Sequence, residues 1–384
     1  MFTSISRPIV MVDLKKQYQQ LKKQIDEAVQ GVIDSTAFIN GKEVHAFAED
    51  LAAYLNVKHV IPCANGTDAL QISLVAVGLK AGDEIIVPDF TYAASAEAIG
   101  LLGLTPIFAD VDPVTFNLTP ESCEKCLSDK TKAIIPVHLF GQSCNMEPLL
   151  DFAKRNDLFV IEDNAQAMGG EYTFSDGNKR KTGTMGHIGC TSFFPSKNLG
   201  CYGDGGAITT NDDELAERVR MISNHGQKVK YKHDIIGCNS RLDTIQAAVL
   251  RVKLQYLDRF NTHRNEVASC YTSLLEGIEW LHTPISLQQS VHVYHQYTLK
   301  LFDENMRDRL REHLTKHKIA SMIYYPIPLH RQPAFMGIAR WAESLDVSES
   351  LSRTVLSIPI YPEMETEEIH TVVSAIKSFE PSSQ

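Results

Sequence analysis

The chain lacks any run approaching the roughly 18 to 20 apolar residues that a membrane span needs. Residues Met1 to Val12 contain no apolar core of signal length and are broken by polar side chains and Pro8. A cytoplasmic protein without a membrane partner is expected. Basic residues are also short: 37 Lys and Arg against 47 Asp and Glu give a net charge of -10. A general nucleic-acid binder would need a basic face to displace counterions from phosphates, so that class is excluded. An anionic small ligand is not, because local charge can oppose net charge. Eight cysteines are scattered along the chain, and only Cys123 and Cys126 form a C-x-x-C. With no second pair at zinc spacing, no metal site is expected, and reduced thiols fit best. The dinucleotide fingerprint G-x-G-x-x-G is missing. So are internal repeats and low-complexity tracts, apart from a short polar tail after Glu380.

What is present is ordinary globular material, 43% hydrophobic and 22% charged over 384 residues. That length suits two domains, or one large domain with an appendage. Leu14, Tyr18, Leu21, Ile25, Val29 and Val32 recur at steps of three and four, predicting a helix over 12–34 that lies on a larger body or a partner subunit. A second helix is predicted from Lys42 to Leu55, with Val44, Phe47, Leu51 and Leu55 facing inward. Continuous apolar runs then alternate with helical stretches. Strands are predicted near 59–63, 84–88, 106–109, 133–137, 158–162, 190–194 and 205–210. Runs without polar alternation fit strands covered on both faces, so the fold class is α/β with a seven-stranded, mostly parallel sheet. Only a short loop separates the last two strands, and that pair need not be parallel. Helical spacing returns near Arg241 and continues past Asp258 toward Leu275. A strand at 293–301, a charged helix at 303–317 and helices near 342–355 and 365–379 follow. The expected division is a large domain, 1–259, and a smaller α+β domain, 260–384.

Several segments carry chemistry. Lys197 lies in Ser192-Phe193-Phe194-Pro195-Ser196-Lys197-Asn198, just before a glycine-rich stretch, and Asp163 ends an earlier apolar strand. A loop lysine and a strand-end aspartate are what pyridoxal phosphate chemistry needs. The amine condenses with the cofactor aldehyde, and the carboxylate keeps the pyridine nitrogen protonated. An isolated lysine after a buried strand also reads as a surface residue, and a strand-end aspartate as a helix cap. Asn65-Gly66-Thr67-Asp68 follows a strand and opens a helix, where free N–H groups and the Thr67 hydroxyl suit a phosphate; an ordinary helix cap has the same composition. Tyr92, after the next strand, is placed to stack on a flat ring or to fill the core, and Phe90 reads as core. Gln166 is three residues beyond Asp163, within reach of a ring oxygen.

Taken in order, Asn65-Gly66-Thr67, Pro88…Thr91-Tyr92, Glu162-Asp163…Ala165-Gln166, Ser192-Phe193…Ser196-Lys197, Gly205-Gly206-Ala207 and Asn239…Arg241 resemble the DegT/DnrJ/StrS-type nucleotide-sugar aminotransferases. The resemblance runs from about Val12 to Phe379. It implies pyridoxal phosphate fold type I, the aspartate-aminotransferase fold, with the cofactor cycling between its aldehyde and amine (PLP and PMP) forms. By the same resemblance Lys197 is the catalytic amine, Asp163 pairs with the pyridine nitrogen, Gln166 meets the ring oxygen and Tyr92 stacks on the ring. Gly66, Thr67 and Ser192 hold the phosphate, and Asn239 reaches the phosphate bound in the neighbouring subunit of a homodimer. Some relatives carry histidine in place of the lysine and dehydrate sugars; Lys197 points to amino transfer.

The 63–70 segment, Asn239-Ser240-Arg241-Leu242-Asp243 and Tyr325-Pro326-Ile327-Pro328-Leu329 resemble a subgroup that aminates C3 of a UDP-linked 3-keto-2-acetamido-uronic acid with glutamate as donor. Such enzymes serve bacterial surface polysaccharide synthesis. Arg241, His225, Tyr324 and Tyr325 are the candidate substrate contacts. A guanidinium grips a carboxylate with two hydrogen bonds; the alternative is that Arg241 caps or bridges the helix that follows it. His225 fits the substrate mouth or a structural role. Tyr324 departs from the subgroup, whose members tend to have histidine there; a phenol donates one hydrogen bond but is not cationic near neutral pH. A dTDP-keto-sugar aminotransferase, a cofactor-binding sensor and an amino-acid lyase are the competing readings.

Overall fold

The computed structural model describes residues 7–342 and 344–381. Its centre is a sheet built from β1 (His59–Cys63), β2 (Glu84–Pro88), β3 (Thr105–Ala109), β4 (Thr131–Ile134), β5 (Phe159–Asp163), β6 (Ile188–Ser192) and β7 (Gly206–Thr210). The spatial order is β1-β7-β6-β5-β4-β2-β3, and the two-residue strand Arg340–Trp341 extends the β3 edge in parallel. The expected seven strands are thus joined by an eighth from the C-terminal part. Two residues are too few to leave a periodic signal, so only the pairing itself reveals this strand. All neighbouring pairs are parallel except those of β7, which runs against both β6 and β1. Every residue of β2 is buried, as a strand covered on both faces requires. Pro62 is tolerated in β1 because β1 is an edge strand, where a missing N–H breaks no inner ladder.

Helix α1 (Leu14–Ser35) begins at Asp13, whose side chain accepts from Lys16 N. Helix α2 is Lys42–Leu55, and its predicted inward face, Val44, Phe47, Leu51 and Leu55, is buried as expected. Helix α3 (Gly66–Ala76) follows β1, and α4 (Ala94–Leu101) follows β2. The long helix expected after Arg241 is instead two, α5 (Thr244–Leu254) and α6 (Leu257–Leu275), with a break at Gln255 and Tyr256. The two helices together span two packing clusters. Ala247, Leu250, Leu254 and Leu257 share a cluster with α2, whereas Val267, Ala268 and Tyr271 enter a different cluster. Leu21 and Ile25 of α1 pack on Val249 and Phe260, so this helix covers α5 and the start of α6.

The C-terminal part carries an antiparallel sheet of Leu281–His282, Tyr297–Leu301 and Val355–Ile358. The helices Glu304–Lys316 and Thr366–Lys377 flank it. Its cluster also takes in Ile9, which forms a parallel bridge with Ile319. Leu329, Phe335, Leu345, Leu351 and Val355 join the cluster of the large sheet instead. The strand expected at 293–301 occupies only Tyr297–Leu301; residues 293–296 run beside the Phe140–Gly141 loop. Among the described residues, no helix is long and apolar enough to cross a membrane.

Candidate active site

The carboxyl ends of β1, β2, β5 and β6 open onto one cavity of about 830 Å³, the position ligands take in open parallel sheets. Its wall includes Gly66, Thr67, Tyr92, Asp163, Gln166, Ser192, Lys197, Tyr324 and Tyr325. Nine of the twelve residues singled out in the sequence therefore meet in one place. Asn239, Arg241 and His225 do not line the cavity of this chain. Asn239 is exposed and bridges Asn224, and His225 is exposed in a left-handed turn with φ of 57°. Ser240 ties that segment down by accepting a 3.0 Å bond from Ala64 N.

One end of the cavity is built for an anion. The first-turn N–H groups of α3 have no intrahelical acceptor, and the Asn65 side chain takes only that of Asp68, at 2.8 Å. Gly66 is required by contact: a Cβ there would lie 2.8 Å from Ser192 Cβ. The start of α3 and the end of β6 thus meet with no room for a side chain between them. Thr91 Oγ1, on the same wall, is buried without a hydrogen-bond partner, a cost that a bound ligand would relieve.

The middle of the cavity holds opposite charges. Asp163 is 6% exposed; its Oδ2 accepts from Ser95 Oγ at 2.7 Å and its Oδ1 from Ala165 N at 3.1 Å. Lys197 sits on the loop between β6 and β7, held by its own N–H to Phe194 O at 2.8 Å. Its amine forms no hydrogen bond among the described residues. Burial pulls its pKa down to about 8, and Asp163 partly opposes that fall. Near neutral pH a usable fraction is therefore a free base, the nucleophilic form. Gln166 is fixed at both ends, accepting from Phe140 N at 2.7 Å and donating to Tyr325 OH at 3.0 Å. Tyr92 is 61% exposed with its ring 6.1 Å from that of Tyr325, whereas Phe90 is core, edge-on to Phe116 and Phe140. Tyr324 and Tyr325 are both held in the neutral phenol form by burial. A nucleophilic amine, a carboxylate, an anion cup and aromatic walls together suit a flat, phosphorylated carbonyl compound.

Glu162, beside Asp163 on β5, points the other way into a closed shell. Its oxygens accept from His138 Nε2, Gly183 N, Met185 N and Gly186 N, so it serves the fold. Thr91, His295 and Gln296 on the cavity wall, and Ser95 behind Asp163, had no role assigned from the sequence. Ser95 had one local signal, a lone hydroxyl in the alanine-rich Ala93-Ala94-Ser95-Ala96. His295 fell within the strand predicted at 293–301 and read simply as a strand residue.

Comparison with known proteins agrees with this geometry. The sequence model of the DegT/DnrJ/EryC1/StrS aminotransferase family matches residues 19–377. The chain is 46% identical over 373 residues to the pleiotropic regulatory protein of Geobacillus stearothermophilus, covering 97% of this chain and 98% of that one. It is 40% identical over 368 residues to the UDP-2-acetamido-2-deoxy-3-oxo-D-glucuronate aminotransferase of Pseudomonas aeruginosa (96% and 99% covered). It is 39% identical over 371 residues to the dTDP-3-amino-3,4,6-trideoxy-alpha-D-glucose transaminase of Streptomyces venezuelae (97% and 96% covered). Among solved structures, S. venezuelae DesV in complex with a ketimine intermediate superposes with a TM-score of 0.92 at 40% identity, over 97% of this chain and 98% of that one. NtdA of Bacillus subtilis, with bound cofactor PMP, gives 0.86 at 29% identity, over 98% and 87%. A match over nearly the whole length, on a chain whose cavity holds a free lysine amine facing a fixed aspartate, makes this protein a member of the DegT/DnrJ/EryC1/StrS aminotransferase family.

Proposed function

We propose that the chain transfers an amino group to a nucleotide-linked keto sugar with pyridoxal phosphate as cofactor. The acceptor is UDP-2-acetamido-2-deoxy-3-oxo-glucuronate and the donor glutamate, in the synthesis of bacterial surface polysaccharide. The observation that carries this reading is the Lys197 amine, unbonded and with its pKa lowered to about 8, sharing a cavity with Asp163.

The cofactor, when bound, supplies an aldehyde for amines and a protonated ring that accepts the electrons left as a proton departs from carbon. Asp163 would pair with the ring nitrogen; Ser95 and Ala165 keep its two oxygens in place. Gln166 would meet the ring oxygen and Tyr92 cover a ring face. Gly66, Thr67 and Ser192 would hold the phosphate at the start of α3. Lys197 Nζ is the base that takes the proton from the substrate carbon and the acid that returns it; a pKa near the working pH suits both duties. Half-buried Tyr325 and the 324–325 segment would narrow the mouth and limit water. Asn239 would reach the phosphate in the neighbouring subunit of a homodimer. Arg241, His225, Tyr324 and Tyr325 would contact substrate. In this reading residues 1–259 form the cofactor-binding domain and 260–384 the smaller one.

The 40% identity to the P. aeruginosa aminotransferase supports the uronate. The 39% identity to the S. venezuelae transaminase supports a second reading, a dTDP-linked keto-deoxy sugar. Protein loaded with pyridoxal phosphate should show visible absorption that Lys197→Ala abolishes; no such band in the unmutated protein would end the cofactor assignment. With glutamate, the UDP-3-keto-uronate should be aminated faster than dTDP-keto sugars. Rapid turnover of a dTDP-keto-deoxy sugar and none of the uronate would overturn the acceptor. Amino transfer to any keto sugar would rule out a purely regulatory role of the kind the 46% relative's name describes.

A further inference from the structure

His295 is buried, lines the cavity that holds Lys197, and has no part in the chemistry above. Its orientation is fixed by a chain of amides. Asn198 Nδ2 donates to Val293 O at 2.9 Å and to Asn261 Oδ1 at 2.8 Å. A backbone carbonyl only accepts, so this nitrogen is correctly placed, and Asn198 Oδ1 must be the atom that faces His295 Nδ1 at 3.2 Å. An amide oxygen also only accepts. His295 is therefore the Nδ1–H tautomer, and its Nε2 carries the lone pair. Burial, with the Lys197 and Arg264 cations nearby, holds this imidazole well below its ordinary range, so it stays neutral. The backbone that carries it is pinned: Val293 N donates to Gly141 O at 2.9 Å and Gln296 N to Phe140 O at 3.2 Å.

Among the described residues neither His295 Nε2 nor Lys197 Nζ forms a hydrogen bond. One is an acceptor, the other a donor whenever it is protonated, and both belong to one cavity. We infer that His295 is a positioning residue for Lys197: when protonated, the amine, unbonded in this structure, turns to His295 Nε2, donates a hydrogen bond to it and is held inside the site. The inference rests on the reading of Lys197 as the proton-transferring amine. The charged groups facing the pair are Asp163 from β5, Asp68 from α3, Asp204 from the glycine-rich loop and Arg264 from α6, with the phenols of Tyr92, Tyr324 and Tyr325 on the wall. None of them bonds either nitrogen.

The substitution His295→Asn separates the two roles of the ring. Its amide nitrogen can replace Nδ1–H toward Asn198, but nothing replaces Nε2. The readout is acetylation of Lys197 against pH in cofactor-free full-length protein, followed by mass spectrometry with surface lysines as internal controls. A lost acceptor disfavours the protonated amine, so the Lys197 midpoint should fall by about one pH unit in His295→Asn. His295→Gln, whose longer amide returns an oxygen toward the Nε2 position, should recover at least half of that shift. An unchanged midpoint in a folded His295→Asn protein would overturn the inference. If that variant does not fold, nitrogen-15 spectra of histidine-labelled unmutated protein decide. An Nδ1–H tautomer whose Nε2 resonance moves as Lys197 titrates supports the inference, and an Nε2–H tautomer sinks it. Cofactor uptake is read separately by visible absorption, so failure of the functional reading is distinguishable from failure of this one.

Discussion

Removing the His330 imidazole should cost about 3 kcal/mol of stability at pH 6 and markedly less at pH 9. Asp89, just beyond β2, is 0% exposed. Its Oδ1 accepts from His330 N and its Oδ2 from His330 Nδ1, each at 2.7 Å. The far ring nitrogen, Nε2, reaches Glu349 Oε1 at 3.2 Å. Breaking a buried pair by deleting one partner costs about 3–5 kcal/mol; the main-chain bond that alanine would keep puts this case at the lower end. Burial pulls the His330 pKa down, but the bonds to Asp89 and Glu349 outweigh it and the net shift is upward. A raised histidine stabilises fully below its unfolded value of about 6.5, and this contribution fades as pH rises through the folded value. Burial pushes the Asp89 carboxyl up as well, with the His330 bonds opposing. That shift has the same sign for stability, which again falls as pH rises. Urea unfolding of cofactor-free His330→Ala and unmutated protein at pH 6 and pH 9 measures both effects. Equal penalties at the two pH values, or a penalty under about 1 kcal/mol at pH 6, would refute the reasoning. The latch also bears on the site, because it ties the segment that follows Tyr324 and Tyr325 to the residue that precedes Phe90-Thr91-Tyr92.

Gly66→Ala should weaken cofactor binding at least tenfold with the fold intact, since its Cβ would press on Ser192 at 2.8 Å; unchanged affinity by calorimetry would remove Gly66 from the anion cup. Ser95→Ala deletes a buried bond to a carboxylate, worth about 1.5–3 kcal/mol, and should weaken cofactor binding about tenfold or more. No change would mean that Asp163 needs no fixing. If the chain is the proposed homodimer and Arg241, two residues from Asn239, serves the neighbouring subunit's site, refolding Lys197→Ala together with Arg241→Ala should restore about a quarter of the unmutated activity, because half the dimers would be mixed and each of those would regain one intact site. No recovery would show that Arg241 does not act across subunits.

The strands of the large sheet were legible because burial on both faces leaves short apolar runs set between helical stretches. The break at Gln255 and Tyr256 was not. No glycine or proline marks it, and the apolar spacing on either side is helical. Lys197 and Asp163 were legible because each stands at or just beyond the end of a strand within a series of motifs whose order, and not any one of them, carries the resemblance. Their supports were not. Ser95 meets Asp163 across 68 residues and His295 meets Asn198 across 97, and no local pattern records a contact of that range.

Glu162 and Asp163 show where the limit lies. Adjacent residues of a strand point to opposite faces, so the sequence alone requires that two acids ending β5 serve different surroundings. Which one reaches the ligand depends on what waits on each side. Glu162 meets a histidine and three main-chain N–H groups that take up both oxygens in a closed shell. Asp163 meets one hydroxyl and one N–H, and its carboxylate still borders open space. A saturated carboxylate has little left to offer a cofactor, whereas an anchored but unsaturated one can bind a cation without first rearranging. On the proposed reading, pairing to the ring nitrogen would therefore fall to Asp163. Glu162→Gln should accordingly lower stability far more than cofactor affinity, and Asp163→Asn the reverse.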